Sequence, residues 1–426
     1  MVLATVVSAQ TLPVPTLPPE PPPDVETATP SQEPPGTEAG GAPGTVSASH
    51  WEYGLSVGVG YDSNISFRLP DGPSSRAILS RGRLARVFTG PNGRLRLAGT
   101  GSWNRYFEAS TLNRYNAGLS LDGSHRSSLD TAWQAGASYD LGYSDSSQIL
   151  SDQGVLLPLV RTRTATGRLG VTRRLGERTS FRLHGRISRV EFDQQDVGAR
   201  GLVDGQSLRG TAALERTLGQ RGSAAIEYSL GATLARQAPT PGGGDGHPYY
   251  FTHYGSLQWN HVLSRRSAFV LEGGASYTPE AETAGVGRRV SFYGGAAYSR
   301  QVKRSDLMLF VRREVTPAFG LGVSRIQTRF GLAATIPMGR AWTLRIRGTH
   351  IVLETPEGAA FTYGTPDEAS ASLSRSLGRH FAVSGEGRYR RRGAAGAIPA
   401  IDGYQVGIFL SLGGPSGPGS GGIPRL

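Results

Sequence analysis

The chain has 426 residues, of which only 18% are charged, and its formal net charge at neutral pH is +12. It contains 60 glycines and no cysteine, which excludes disulfides and thiolate metal sites. Because no apolar run reaches about eighteen residues, a helical membrane span is excluded as well. This composition favours one repetitive architecture of strands and tight turns over several helical domains.

The first residues resemble the end of a signal peptide. Residues 1–9 read MVLATVVSA, and Val7-Ser8-Ala9 has the small residues of a cleavage site, although a basic start is missing. We expect a truncated signal peptide here; a disordered apolar end is the alternative. Residues 10–50 are rich in proline and polar residues, which predicts a disordered periplasmic linker, or less plausibly a binding segment for a periplasmic partner. Residues 414–426 form a disordered tail by the same argument.

Alternation of apolar and polar residues fills residues 51–413. In residues 223–235, for example, Ile226 and Leu230 alternate with Glu227 and Ser229. Successive strand residues point to opposite faces, so such segments meet two different environments. Eighteen amphipathic segments of ten to fourteen residues predict an all-β fold. The expected fold is a single 18-stranded antiparallel transmembrane β-barrel with an up-and-down meander.

The connections between these segments alternate between short and long. By the rule for outer-membrane barrels, short turns face the periplasm, long loops face outward, and both termini are then periplasmic. The chain is therefore expected in the cell outer membrane, with membrane lipid as a partner. The short connections lie near residues 89–93, 125–128, 176–178, 219–222, 264–266, 303–305, 339–340 and 378–380.

Aromatic residues on the apolar face support the same orientation, because they fall beside both sets of connections, as in the two interfacial girdles of a membrane barrel. A soluble β-sandwich or a β-propeller would bury most of them, and neither fits eighteen strands with one-sided loops. Those beside the long loops are Tyr61, Tyr115, Tyr143, Tyr277, Phe292 and Tyr389; those beside the short turns are Phe181, Trp259, Phe269, Trp342 and Phe381.

The last strand resembles the recognition signal that the barrel assembly machinery reads, so that machinery is an expected partner. The signal has a polar residue, a glycine two positions later, and then two alternate hydrophobic residues. Gln405, Gly407, Leu410 and Leu412 occupy these positions, although Leu412 stands where an aromatic residue is usual.

A barrel of eighteen strands is wide enough for an aqueous channel. Four arginines of one predicted hairpin, Arg325, Arg329, Arg345 and Arg347, point inward with no acid on the same face of either strand. Rings of arginine favour anion passage. Alternatively, these arginines pair with acids on an inward-folded loop, such as Asp367 or Glu357. Among the other arginines expected to line the lumen are Arg312, Arg182 and Arg186.

The sequence carries no sign of an enzyme. None of the eight histidines has metal-ligand spacing, so neither a metal site nor a cofactor is expected. His253 could be combined with Ser256 or Asp245 on paper, but chance proximity explains these residues better. Nucleic acid is not an expected partner, because the basic residues are spread at strand period and mixed with acids.

The end of the first predicted strand, Gly60-Tyr61-Asp62-Ser63-Asn64, is similar to that of a broad group of outer-membrane barrels. With the proline-rich lead and the abundance of arginine, the chain resembles the barrels of exopolysaccharide-secretion systems. The resemblance implies a conduit for a polysaccharide, which the basic lumen predicts to be anionic, and a separate periplasmic polysaccharide-export protein as partner. Two alternatives remain: a passive diffusion porin for small anionic solutes, and a structural or adhesin surface barrel.

Overall fold

The fold is that of a computed structural model, which describes residues 48–65, 72–143, 161–193, 204–236, 249–279, 288–318, 323–354, 365–394 and 399–413. The predicted signal peptide, nearly all of the predicted linker and the predicted C-terminal tail lie outside the described residues. Among the residues that are described, no helix is long and apolar enough to span a membrane.

Eighteen strands make up the described chain, which confirms the predicted all-β class and strand number. They contain 11 to 16 residues, somewhat more than the alternation indicated, and each is long enough to cross a bilayer. The strands are β1 (Ala48–Asp62), β2 (Ser75–Gly90), β3 (Gly93–Tyr106), β4 (Arg114–Arg126), β5 (Thr131–Tyr143), β6 (Arg161–Arg174), β7 (Thr179–Phe192), β8 (Asp204–Thr217), β9 (Gly222–Arg236), β10 (Tyr249–Ser264), β11 (Ser267–Thr278), β12 (Arg289–Val302), β13 (Ser305–Ala318), β14 (Val323–Met338), β15 (Trp342–Glu354), β16 (Pro366–Ser376), β17 (Phe381–Arg392) and β18 (Ile401–Gly413).

The sheet closes on itself. Each strand pairs antiparallel with its neighbours in sequence, and β18 pairs with β1 from Gly54 opposite Gly413 to Asp62 opposite Gln405. Directly opposite residues share a face, so following the registers around the ring returns to the starting face. On the inner face of the seam, for example, the Ser56 and Ser411 hydroxyls lie 2.8 Å apart. The barrel therefore has one continuous inner surface, the lumen, and one continuous outer surface.

The Gly-Tyr-Asp-Ser-Asn segment at the end of β1 extends the seam beyond the strand pairing. The Ser63 backbone N–H donates to the Tyr404 carbonyl oxygen at 2.9 Å, and the Tyr404 N–H donates to the Ser63 hydroxyl at 2.8 Å. The Asn64 side-chain amide donates to the Asp402 carbonyl oxygen at 3.3 Å. This motif therefore fastens the first strand to the last one.

Phe409 packs over glycines on the lumen side of the same seam. Its side chain is 1% exposed, and the Arg81 guanidinium carbon lies 4.7 Å from the centre of its ring. A Cβ at Gly58 would lie 2.6 Å from Phe409 Cδ1 and 2.3 Å from the Ile408 carbonyl oxygen; a Cβ at Gly407 would lie 2.9 Å from Phe409 Cε2. The two glycines leave the space that the ring fills.

The outer surface is apolar all around the ring. Side chains such as Val59, Ile226, Leu257 and Ile408 are between 62% and 64% exposed. Exposed apolar surface on this scale is rare on monomeric soluble proteins, whereas it matches the acyl chains of a bilayer. The predicted girdle aromatics lie on this same surface, near both ends of the strands.

Replacing Gly58 by alanine should weaken the seam, because the new methyl group has no free space. We expect a loss of about 1–3 kcal/mol in the free energy of unfolding, the usual cost of overpacking. Unfolding in urea, followed by tryptophan fluorescence in lipid vesicles, measures this loss. Gly82→Ala is the matched control, because nothing lies within 4 Å of a Cβ at Gly82. Equal urea midpoints for the two variants would contradict the packing argument.

Candidate functional site

The lumen surface is polar and rich in arginine. The registers assign each strand residue to the inner or the outer face, and arginines outnumber acids on the inner one. Arginines on the lumen face include Arg81, Arg83, Arg94, Arg96, Arg114, Arg168, Arg182, Arg186, Arg209, Arg312, Arg329, Arg345, Arg347, Arg388 and Arg390; the acids are Glu52, Asp62, Asp122, Asp140, Glu215, Glu227, Glu272, Asp306, Glu314, Glu368 and Glu386.

Three lumen arginines stand side by side on adjacent strands. Arg186 of β7 lies directly opposite Arg168 of β6 on one side and Arg209 of β8 on the other. We call these residues the arginine row. Asp122 accepts a hydrogen bond from the Arg168 guanidinium, and the Arg209 guanidinium carbon lies 4.5 Å from the centre of the Tyr254 ring.

The arginine row is electrostatically unfavourable by itself, because like charges directly opposite each other on neighbouring strands destabilise a sheet. Sequence reasoning missed the row: alternation assigns each arginine to the polar face, but it does not give the register that aligns three strands.

Two of the predicted lumen arginines share one carboxylate. Glu314 Oε2 lies 3.1 Å from Arg312 Nε, and Glu314 Oε1 lies 3.8 Å from Arg329 Nη2. Gln327 Nε2 also donates to Glu314 Oε1 at 2.6 Å. Glu314 belongs to β13, outside the hairpin of β14 and β15, so an acid from a third strand offsets part of the charge at Arg312 and Arg329.

Two other predicted residues of this hairpin lie directly opposite uncharged residues. Arg345 lies opposite Thr335 and Ser372, and Arg347 lies opposite Ala333 and Ser370. The Arg325 backbone is opposite Thr316, which puts it on the same face; its side chain lies outside the described part. Of the remaining two predicted residues, Arg186 belongs to the arginine row, and Arg182 Nη2 lies 3.7 Å from Glu215 Oε2.

Asp367, one of the two acids considered as partners for these arginines, faces away from the lumen. Asp367 is directly opposite His350 on the outer face, and the two side chains form a hydrogen bond. Glu357 lies outside the described residues.

His253 and Ser256, which the sequence suggested as a possible catalytic pair, do not share a face of the barrel. His253 is on the outer face, where its ring nitrogen lies 2.8 Å from the Tyr228 hydroxyl, whereas Ser256 faces the lumen, and Asp245 is not among the described residues.

The residues of the predicted assembly signal lie on both faces of β18. Gln405 and Gly407 face the lumen, opposite Arg388 and Glu386 of β17. Leu410 is 54% exposed on the outer face, and Leu412 is on that face opposite Leu55 of β1. The strand that carries the signal is thus the one that closes the barrel, and its recognition by the assembly machinery stays a prediction.

One wall of the lumen is covered near the long loops. Ile65, just after β1, is 1% exposed and packs with the lumen-facing Leu79, Tyr106 and Phe409. Its carbonyl oxygen accepts a hydrogen bond from Arg114 Nη2, and its N–H donates to the Pro73 carbonyl oxygen at 2.9 Å. Ile65 is therefore fixed against the inner face of the barrel wall, and its hydrogen bond holds Pro73 beside it.

A charged contact holds the β3–β4 connection to the start of β2. Glu108 accepts hydrogen bonds from the Ser75 hydroxyl and from the Arg76 backbone and guanidinium groups. These bonds, that from Ser75 first, lower the pKa of Glu108 to about 2. Because the folded pKa lies below the usual value of about 4.3, the contact contributes fully above that value and is lost as the pH falls toward 2.

Ser75→Ala should raise the pKa of Glu108, because the bond that favours its ionised form most strongly is removed. A ¹³C NMR titration of labelled glutamate side chains in detergent micelles measures this pKa, with Glu108→Gln assigning the signal. Ser264→Ala, far from Glu108 in a short turn, is the control and should leave the titration unchanged. A Glu108 pKa near 4 in the parent protein would contradict the contact.

Comparison with known proteins gives weak likenesses only. No protein-family model matches the sequence, and no curated protein does either. The solved structures that are similar include OccK3 (OpdO) of Pseudomonas aeruginosa, with 12% identity over 86% of this chain and 95% of that chain at a TM-score of 0.46. The outer membrane protein OpdK of the same organism has 12% identity over 85% of this chain and 98% of that chain, at a TM-score of 0.44. The siderophore receptor PirA of Pseudomonas aeruginosa has 8% identity over 86% of this chain and 81% of that chain, also at a TM-score of 0.44.

TM-scores of 0.44 to 0.46 are too low to support a conclusion about the function of this chain. A closed antiparallel ring with an apolar outer belt and a polar, charged lumen is the architecture of a porin-like outer-membrane protein. The candidate functional site is therefore the lumen itself, in which the arginine row is one concentration of positive charge.

Proposed function

We propose that the protein is a passive outer-membrane channel whose lumen favours small anionic solutes. The arginine row carries the proposal, since its register sets three arginines side by side on neighbouring strands of the lumen face. Arg345 and Arg347 add positive charge at neutral positions of the opposite wall. Guanidinium groups bind carboxylates and phosphates through paired hydrogen bonds, and several such groups in sequence give weak successive contacts that a permeating solute can leave.

Removing the charge of the arginine row should lower anion preference. Arg186→Gln combined with Arg209→Gln should reduce the chloride-to-potassium permeability ratio about two- to five-fold, since one charge at about 4 Å contributes about 1 kcal/mol in water. Reversal potentials in planar bilayers under a KCl gradient measure this ratio. We leave Arg168 in place because Asp122 binds it.

The control for this experiment removes the same charge from the outer face. Arg163→Gln combined with Arg105→Gln takes two arginines from positions that face away from the lumen. It should leave the permeability ratio unchanged. If both double variants lower the ratio equally, total protein charge is responsible and the arginine row is not.

Arg345→Gln should also reduce anion preference, while Arg329→Gln should reduce it less. The difference follows from Glu314, which already lies 3.8 Å from Arg329 and offsets its charge. The same reversal-potential measurement tests the order of the two effects. A larger effect at Arg329 would contradict the proposed role of the hairpin.

Exopolysaccharide export remains a second hypothesis for the same lumen. It is supported by the Gly-Tyr-Asp-Ser-Asn resemblance at the end of β1. The hydrogen bonds of Ser63 and Asn64 to β18 give that motif a role in closing the ring, which a barrel of any transport function can use. A periplasmic export protein would be required as partner. Deletion of the gene with unchanged surface polysaccharide, together with ion conduction by the isolated barrel, would exclude export and leave the diffusion channel.

A further inference from the structure

The two rims of the barrel differ in how their charges are arranged. At the long-loop rim, three of the outer-face arginines form ion pairs with acids of the same rim. Arg76 Nη2 lies 2.7 Å from Glu108 Oε1, Arg189 Nη2 lies 2.5 Å from Glu191 Oε1, and Arg313 donates to Glu354 through both terminal guanidinium nitrogens. Positive and negative charges are therefore mixed there, and much of the field cancels.

At the short-turn rim, positive charges form a collar without such pairs. Five arginines on the outer face lie within four residues of the ends of their strands. The turns carry eight further cations against two acids, Asp130 and Glu177. None of these cations makes an ion pair with a residue that the structure describes. The outer-face residues of this collar are Arg86, Arg173, Arg216, Arg300 and Arg375; the turn residues are Arg178, Arg221, Arg265, Arg266, Lys303, Arg304, Arg340 and Arg379.

The collar begins where the aromatic girdle ends. Arg86 lies directly opposite Trp51, with its guanidinium carbon 4.9 Å from the centre of the indole ring. Arg375 lies directly opposite Trp342, at 5.4 Å from its ring. Tryptophan on the lipid face of a barrel sits at headgroup depth. These guanidinium groups therefore lie at the level of lipid phosphates, on the outside of the barrel, where they cannot attract solutes into the lumen.

We propose that the collar binds anionic phospholipid headgroups of the leaflet that meets the short turns. Arginine suits this ligand because its planar fork donates two hydrogen bonds to one phosphate, and because its apolar stem can extend along the barrel wall. The girdle rings supply the apolar side of each site and the turns supply further charge. The inference rests on the membrane setting in the proposed function but not on conduction, so the bilayer recordings and the lipid experiment can fail independently.

The tryptophans allow the two rims to be observed separately. Four of the five, Trp51, Trp133, Trp259 and Trp342, belong to strand ends beside short turns, and Trp103 is near a long loop. All five are exposed on the outer face. In a Trp103→Phe background, quenching of fluorescence by brominated phosphatidylglycerol relative to brominated phosphatidylcholine gives the relative lipid-binding constant at the short-turn rim. Because both leaflets carry the quencher, the direction of insertion into vesicles does not matter.

In this background, the parent protein should prefer phosphatidylglycerol about five-fold at low salt, the effect of one charge near the surface. The variant with Arg86, Arg173, Arg216, Arg300 and Arg375 all changed to Gln should have a ratio near one. The control variant has five outer-face arginines at or near the other rim, Arg105, Arg161, Arg163, Arg288 and Arg391, changed to Gln, and it should keep the preference.

A second measurement keeps the proposal testable if the collar variant does not fold. Raising the salt to about 1 M shortens the Debye length to about 3 Å, so the parent should lose its preference without any substitution. A parent that shows no preference at low salt, or one that keeps it in 1 M salt, overturns the proposal. An equal loss in the collar and control variants also overturns it, because total charge would then be responsible.

Discussion

The pairing of β1 with β18 is the interaction on which the rest of the structure depends. Without it, an eighteen-stranded sheet would expose two rows of unpaired backbone N–H and C=O groups, and in hydrocarbon each unpaired group costs several kcal/mol. Two further contacts strengthen the pairing of β1 with β18. Ser63 and Asn64 form hydrogen bonds with β18 beyond the last paired residues of β1, and Phe409 fills the space over Gly58 on the lumen face. An inside and an outside exist only because this ring is closed.

Closure also decides the electrostatics of the lumen. Each register that seals the backbone also fixes which side chains face each other. It aligns Arg168, Arg186 and Arg209 across three strands and sets Glu314 between Arg312 and Arg329. Which charged residues lie beside each arginine therefore depends on the register, although the local sequences of these arginines look alike. The anion preference that we propose is a property of the ring and not of any single strand.

The outside of the barrel depends on the same closure in a different way. The apolar belt holds the barrel at a fixed depth in the bilayer, and that depth puts the two rims at the levels of two sets of headgroups. Charge differs between them, since Arg76 and Glu108 pair at one rim whereas Arg86 and Arg375 stack on tryptophans at the other. Transport and lipid contact thus use opposite faces of the same strands.

The sequence by itself determined the strand number, the alternating faces, the short turns and the apolar side of the girdle. Side chains alternate between the two faces of a strand whichever strand it pairs with, so this pattern can be read without the pairing. It also assigned Arg345 and Arg347 to the lumen face. It did not determine that Glu314 lies close to Arg329, that Ile65 packs against Phe409, or that three arginines form a row. Those contacts join residues on different hairpins, or on the first and last strands, and they depend on strand register and ring closure, which only the tertiary structure decides.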